Sequence, residues 1–523
     1  MYLMSIDTGT QSTRVSLIDE NGNEVASARR DQKLESPQPG WGVQKPSIWW
    51  NNTMECIKEI TSNYSLEVKE IAGIGVCGQM HGSVAIDKNG DLIDFPVPLW
   101  CDKRESKGLK SLKQDEIEFL YNHTGNLPLP AWVGFKIQWI KENMRDVYEN
   151  ADKFFTPKDF LNYMLTGEVA TDPTEASGYY VYDAKKESWS KELTQVLEID
   201  FDKLPAIIPS YKKMGIIKKD LASSLGLPKG IPVAAGSGDF LSHHLASGTA
   251  TPGRAMDHAG TASALSVVVK KPLFNKKLMN LRHITDSWIS FGILDSGGGS
   301  LRWLRDNACI DLVELASKKK KDPYEIMIEM TMDVPPGSDG LFFLPYLQGE
   351  RTTGTSYSRG VFFGISSFHQ RKHLIHAVLE GVIFDMKQIM NIMENAGVNI
   401  PEVRLIGGGA RSDFWSQMRA DIYDVNILVM KSVEGGIMGA SILAGCVAGL
   451  FKDPSTAADK ISARVQKVFK PNKKKVEVYS EIFSNFLEIH NAFQEYFIKL
   501  NSWSTSWKKK LNVQKEVQNY PKF

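Results

Sequence analysis

The sequence predicts an α/β or α+β fold with a mixed sheet, organised as two related halves. The N-terminal order of elements is strand, strand, strand, helix, strand. Two glycine-bearing stretches of the first half have later counterparts in similar company. The length of 523 residues also exceeds the roughly 250–300 at which a single hydrophobic core stops growing.

Each element follows from local chemistry. Tyr2–Ile6 is apolar, DTGTQST turns, Arg14–Ile18 alternates, and Asn21-Gly22 turns the chain into a third strand. A helical stretch follows around Ile48–Glu59, then a buried strand at Ile71–Cys77. The early DTGTQST has a partner in DHAGTAS (Asp257–Ser263), again leading into a strand-like run, ALSVVV. IAGIGVCGQMHG, around residue 75, is matched in type by VRLIGGGARSD, around residue 408: a buried strand with a glycine-rich exit. The expected boundary lies near residue 250, in GTATPG, giving domains 1–249 and 250–500. Late in the chain come a small-residue apolar helix (Gly436–Leu450) and an aromatic helix (Tyr479–Leu500). The polar tail, 501–523, carries three consecutive lysines and reads as a solvated or frayed terminus rather than a binding arm.

Composition narrows the function. With 42% hydrophobic and 24% charged residues the chain is globular in type. Its 62 basic and 61 acidic residues leave a net charge of +1, which argues against nucleic acid as a partner. The five cysteines form no CxxC pair, so neither a disulfide framework nor a zinc site is indicated, and a reduced, cytoplasmic setting is expected. MYLMSIDTGTQ lacks the basic and apolar regions of a signal peptide. The uncharged stretch from Gly435 to Phe451 is rich in Gly, Ala and Ser and sits at the short edge of the roughly 17–25 residues a span requires, so a buried helix is expected and no membrane partner.

Phosphate binding needs backbone N–H groups with nothing bulky before them, which glycine-rich turns supply. Such turns occur at Asp7–Thr13, Gly236–Asp239, Gly260-Thr261, Gly297–Ser300 and Gly407–Gly409, while no GxxxxGKS or GxxxxGKT exists. Gly73–Gly78 matches GxGxxG, but there the motif is the strand itself rather than the turn after it, a poor fit to a dinucleotide site. Asp7, at a strand exit before a glycine turn, suits a Mg²⁺ ligand, direct or through water, and equally an Asx-turn cap. Asp239 closes VAAGSGD at a second exit, where a carboxylate can accept a hydroxyl proton or cap the following helix. His243 and His244 lack metal spacing and read as ordinary helix residues. Met80 and His81 follow the Gly75–Gly78 exit, where a histidine can bind a polyhydroxy substrate or serve structurally.

Together these stretches resemble the FGGY carbohydrate kinases, from residue 2 to about residue 500. GVFFGISSFHQRKHLIHAVLEG (Gly360–Gly381) fits that family's C-terminal signature position by position. The N-terminal signature is met by Lys136–Ile140 and Asn143, but Val133 stands where Pro, Ser or Thr is usual. GQMHG (Gly78–Gly82), FLPYLQGERT (Phe343–Thr352) and IGGGARSDFW (Ile406–Trp415) are most similar to the xylulokinase branch.

The resemblance implies two ribonuclease-H-like domains of the actin and Hsp70 type, with ATP and sugar in an interdomain cleft. It implies an enzyme that phosphorylates a sugar hydroxyl with ATP and Mg²⁺, D-xylulose to D-xylulose 5-phosphate, and a possible homodimer. Asp239 becomes the general base and Asp7 the acid that supports Mg²⁺. Met80 and His81 contact the ketose with Asp239. Thr10, Gly260 and Thr261 line the phosphates, with Gly298, Gly408 and Gly409 near the nucleoside. Three departures from the family's pattern stand out, the first of which removes a hydroxyl partner for the sugar. Phe240 replaces an asparagine usual after the base, Thr353 replaces a proline after GERT, and AGTAS replaces GTSG. Alternatives are a kinase of another ketose, polyol or sugar acid, or a sugar- and nucleotide-binding protein without catalysis. A chaperone-like ATPase would need a peptide-binding domain, and only a short polar tail follows residue 500, so that reading is not expected.

Overall fold

In the computed structural model the described residues are 1–64, 68–431, 434–462 and 464–510. They form two compact units, Met1–Arg254 with Val267–Ser290 and Met430–Arg464, and Ala255–Ser266 with Phe291–Val429 and the residues from Val465 onward. By contacts, Val267–Ser290 and the late segment Met430–Arg464 belong with the first unit, the latter because its helix packs on the N-terminal sheet.

The first unit is built on the predicted strands. β1 (Tyr2–Thr8), β2 (Ser12–Asp19) and β3 (Glu24–Asp31) form an antiparallel meander. β1 also pairs in parallel with Ile71–Gly78, setting Asp7 beside Cys77 and Thr8 beside Gly78. Ser237–Gly238 pairs on the other side of that strand, with Ser237 beside Cys77. The exits bearing Asp7, Cys77 and Asp239 thus lie side by side. The Pro46–Asn63 helix starts at a proline and buries Trp49, Thr53, Cys56, Ile57 and Ile60, a helical stripe.

The helix Gly435–Val447, buried along almost its whole length, explains the glycines of Ile71–Gly78. A Cβ on Gly73 would lie 2.5 Å from the Ala444 carbonyl oxygen, and one on Gly75 2.0 Å from that of Ala440. These glycines permit backbone-to-backbone packing, so the GxGxxG match records helix–strand contact. Gly75→Ala is expected to cost at least the ~1–3 kcal/mol typical of overpacking and to lower the melting temperature; an unchanged transition would contradict this packing.

In the second unit, Ala255–Ala259 pairs in parallel with Glu402–Ile406, which pairs in parallel with Asn426–Met430. Asp257, the echo of Asp7, is locked: its Oδ2 accepts from Arg419 Nε at 2.9 Å and from the Tyr423 hydroxyl at 2.9 Å. The 25-residue helix Arg371–Asn395 carries the end of the C-terminal signature, and a Cβ on its Gly381 would lie 2.2 Å from the Phe343 carbonyl oxygen. Thr353, found in place of proline, donates to Glu350 at 2.8 Å and to Asp385 at 3.1 Å, while His490 of the aromatic helix meets Glu350 at 2.7 Å. That helix runs from Lys473 to Lys510, so the first ten residues of the expected frayed tail, 501–510, are helical. The remainder of that tail lies outside the described residues. No described helix is long and apolar enough to cross a membrane.

Candidate active site

The first unit brings Asp7 and Asp239 together. Asp7 ends its strand beside Cys77, and Asp239 opens the helix Asp239–Ala246 one residue after Gly238, the partner of Gly78. Gly236 makes the turn into this exit at φ +81°, where a Cβ would also strike the Val76 carbonyl oxygen at 2.2 Å. Gly238 N–H donates to Thr174 Oγ1 at 3.0 Å, and Phe240 N–H to Asp239 Oδ1 at 2.7 Å. The latter bond shows that Asp239 reaches back to the helix N-terminus, yet only one of its oxygens is engaged there.

Electrostatics distinguish these carboxyls from surface ones. Burial pushes Asp239 up to about 6, the neighbouring Asp7 carboxylate adds to the rise, and the His243 imidazole opposes it. Burial also raises Asp7, against His243 and a hydrogen bond with Cys77. Cys77 is itself raised well above the usual thiol range by burial beside the two carboxylates. His243 Nδ1 hydrogen-bonds the Asp239 backbone oxygen at 2.8 Å. The expectation that His243 is an ordinary helix residue is therefore corrected: it stands beside both acids. His244 instead packs its ring edge-on to Phe240.

The Gly435–Val447 helix supplies a feature hidden from motif reading. A Cβ on Gly435 would lie 2.3 Å from His243 Cδ2, and one on Gly436 2.2 Å from Asp7 Oδ2. The start of a helix thus abuts the Asp7 carboxylate and the His243 ring, and its positive end favours negative charge on Asp7. Arg14 completes the surround, pairing with Glu434 at 2.9 Å. The run of small residues was visible in the sequence; its docking against Asp7 was not.

Thr10 lies in the β1–β2 turn, donating its hydroxyl to Gln79 Oε1 at 3.0 Å and accepting from Trp100 Nε1 at 3.0 Å. Gln79 continues to Gln44, whose amide donates to the Thr10 carbonyl at 2.7 Å. The first glycine turn is therefore braced by side chains that no glycine motif announces. Met80 packs on Gly238, where a Cβ would meet its Sδ at 2.6 Å. His81 follows at φ 66°, its ring edge-on to Trp132. Burial, with the nearby Lys136 charge, pushes that imidazole down to about 3, so it stays neutral at ordinary pH. A neutral ring can both donate and accept toward hydroxyl groups.

In the second unit Gly260, Thr261, Gly298, Gly408 and Gly409 line one cavity of about 580 Å³. Gly298 N–H donates to the Gly260 carbonyl at 2.9 Å, and a Cβ on Gly298 would lie 2.6 Å from that oxygen. Arg302 donates to Thr261 Oγ1 at 2.9 Å. Asp322, Tyr324 and Ile328, on and beside the helix Pro323–Glu329, also line the cavity. These residues were missed because a wall of mixed side chains carries no glycine signature; a start of Asp322-Pro323 marks only a capped helix.

Among the described residues no three His, Cys, Asp or Glu side chains cluster as a metal cage. Asp7 Oδ1 is nevertheless buried without a hydrogen-bond partner. A lone carboxylate oxygen of this kind fits Mg²⁺, which is usually held by one or two carboxylates plus phosphate oxygens and water.

Comparison with known proteins agrees with both halves of the chain. The N-terminal domain of the FGGY family of carbohydrate kinases matches residues 2–245, and its C-terminal domain residues 256–448. A xylulose kinase of Staphylococcus epidermidis is 30% identical over 500 residues, covering 94% of this chain and 97% of its own. A gluconokinase of Bacillus subtilis is 27% identical, covering 95% of this chain and 97% of its own. The crystal structure of ligand-bound xylulose kinase from Lactobacillus acidophilus superposes with a TM-score of 0.86 at 26% identity, covering 95% of this chain and 99% of that one.

Proposed function

The chain belongs to the FGGY family of carbohydrate kinases, a family of sugar kinases, and from that premise we propose that its substrates are D-xylulose and ATP and its product D-xylulose 5-phosphate. The observation that carries the chemistry is the pairing of Asp239 with Asp7 at adjacent strand exits, with Asp239 raised to about 6. A base of that strength is mostly ionised at neutral pH and still accepts a proton late in phosphoryl transfer.

In this reading Met80 and His81 receive the ketose, and Asp239 takes the proton of the terminal hydroxyl as that oxygen attacks the γ-phosphorus. The O–H bond breaks toward the Asp239 carboxylate, the new P–O bond forms, and the bond to the ADP oxygen breaks. Asp7 would hold Mg²⁺, which neutralises charge on the phosphates. Thr10 would shape the phosphate-facing turn of the first unit. Gly260, Thr261, Gly298, Gly408 and Gly409 would border the nucleotide, Gly260 and Gly298 by their bare glycine faces because their N–H groups are taken by backbone carbonyls. The xylulose assignment rests on the GQMHG and IGGGARSDFW stretches and on relatives bearing that name.

Phe240 favours weighing a second acceptor. Its ring packs on His244 at 4.5 Å between centroids, so the position after the base offers no amide to a hydroxyl. A relative named gluconokinase makes a sugar acid the alternative acceptor. ADP release measured with D-xylulose, D-ribulose, xylitol and D-gluconate decides between them. The expected result is the highest kcat/KM with D-xylulose. Preference for gluconate would overturn the acceptor and leave the kinase activity standing, whereas no ADP release with any sugar would indicate a binding protein without catalysis.

A further inference from the structure

We propose that Lys136 is a positioning residue for sugar recognition, its buried amine clamping the backbone of the turn that presents His81. The inference rests on the reading above that Met80 and His81 meet the sugar. Lys136 Nζ donates to the His81 carbonyl oxygen at 2.7 Å and to the Ala131 carbonyl oxygen at 2.8 Å. Only 2% of the residue is exposed, so water cannot substitute for either bond. One amine thereby ties the strand exit of residues 78–82 to the segment that starts the helix Val133–Asn143.

His81 needs such a tie. At φ 66° it occupies the left-handed region, which costs a residue with a Cβ some energy and persists where the surroundings hold it. Its ring is fixed from two sides. Trp132 meets it edge-on at 5.4 Å, and Gly178 leaves room for it, since a Cβ there would lie 2.5 Å from His81 Cε1. Trp132 is stacked in turn on Tyr180. Those contacts limit the ring, while among the described residues Lys136 holds the backbone carbonyl of the same residue.

The amine is placed for donation rather than for charge pairing. Burial lowers its affinity for a proton to a pKa of about 7, with Asp102 opposing that shift. Among the described residues its hydrogen bonds go to two carbonyl oxygens, which a neutral amine with two N–H groups can also satisfy. This separates Lys136 from a lysine that would neutralise phosphate.

The test compares Lys136→Met, Lys136→Gln and His81→Ala for the KM of D-xylulose, with ATP affinity measured by equilibrium binding in parallel. Lys136→Met keeps the stem and removes both donors. It is expected to raise the sugar KM roughly 10- to 100-fold, as small misplacements of binding groups do, while ATP affinity stays at the wild-type value. Lys136→Gln retains two donors on a shorter arm and is expected to fall between. A rise in His81→Ala with wild-type sugar KM in both Lys136 variants overturns the clamp and leaves the sugar site intact. A wild-type KM in His81→Ala overturns the sugar reading itself. Should Lys136→Met fail to fold, a wild-type sugar KM in Lys136→Gln overturns the clamp on its own. A lower melting temperature with unchanged sugar KM would assign Lys136 a purely structural role and equally overturn it.

Discussion

Asp239→Asn is expected to abolish most turnover, by at least the ~10²–10⁴-fold that general-base groups contribute, or about 3–5 kcal/mol of barrier. The substitution preserves shape and one acceptor, so the Phe240 N–H retains a partner and the helix start remains capped. What disappears is the ability to take a proton. ATP affinity is expected to stay unchanged, because the glycine-lined cavity belongs to the other unit. Stability should move the other way. Burial and the Asp7 carboxylate raise Asp239 in the folded chain, so its ionised form is carried at a cost above the folded value near 6. That cost fades as pH falls toward the ordinary Asp value of about 3.9. Asp239→Asn is thus expected to melt higher than wild type at pH 8, with the gain vanishing near pH 4. Thermal melts across that range check it, and a lower melting temperature at pH 8 would contradict the paired-acid picture.

Gly436→Ala is the second large effect. Its new Cβ would stand 2.2 Å from Asp7 Oδ2 and 2.7 Å from Asp7 Cγ, well inside contact distance. Either the carboxylate swings away or the Gly435–Val447 helix retreats, and the helix is pinned because Gly75 touches Ala440 along its length. Asp7 is the softer element, so the side chain is expected to move. Displacing a positioning group by about 1 Å costs on the order of 10²-fold, and turnover should fall by that much, with Mg²⁺ dependence shifted to higher concentration. Steady-state rates over a magnesium series test this. Wild-type kcat at every magnesium concentration would show that Asp7 tolerates the methyl group and that its placement is not critical.

The two examples also show what a sequence discloses. β1 and β2 are legible because apolar alternation and a glycine turn act over a few residues. Asp7 and Asp239 stand out as acids at strand exits, and the five Gly and Thr positions that line the cavity of the second unit as small residues after strands. Asp257 marks the limit of that logic. It occupies an exit like that of Asp7, yet Arg419 and Tyr423, far along the chain, take up its carboxylate. Gly73 and Gly75 fit a dinucleotide motif, while the reason for them lies in the Ala440 and Ala444 carbonyls. His243 lacks ligand spacing but faces two acids through the fold. Local pattern reports what a segment can form; the partner that gives a residue its role arrives from elsewhere in the chain.

The pH dependence of kcat/KM for D-xylulose tests the central claim most directly, that a raised Asp239 carboxylate receives the substrate proton. Wild type should lose activity below about pH 6, tenfold per unit, as that carboxylate protonates. The residual rate of Asp239→Asn should show no such limb. A wild-type profile that stays flat to pH 5, or the same acid limb in the variant, would contradict it.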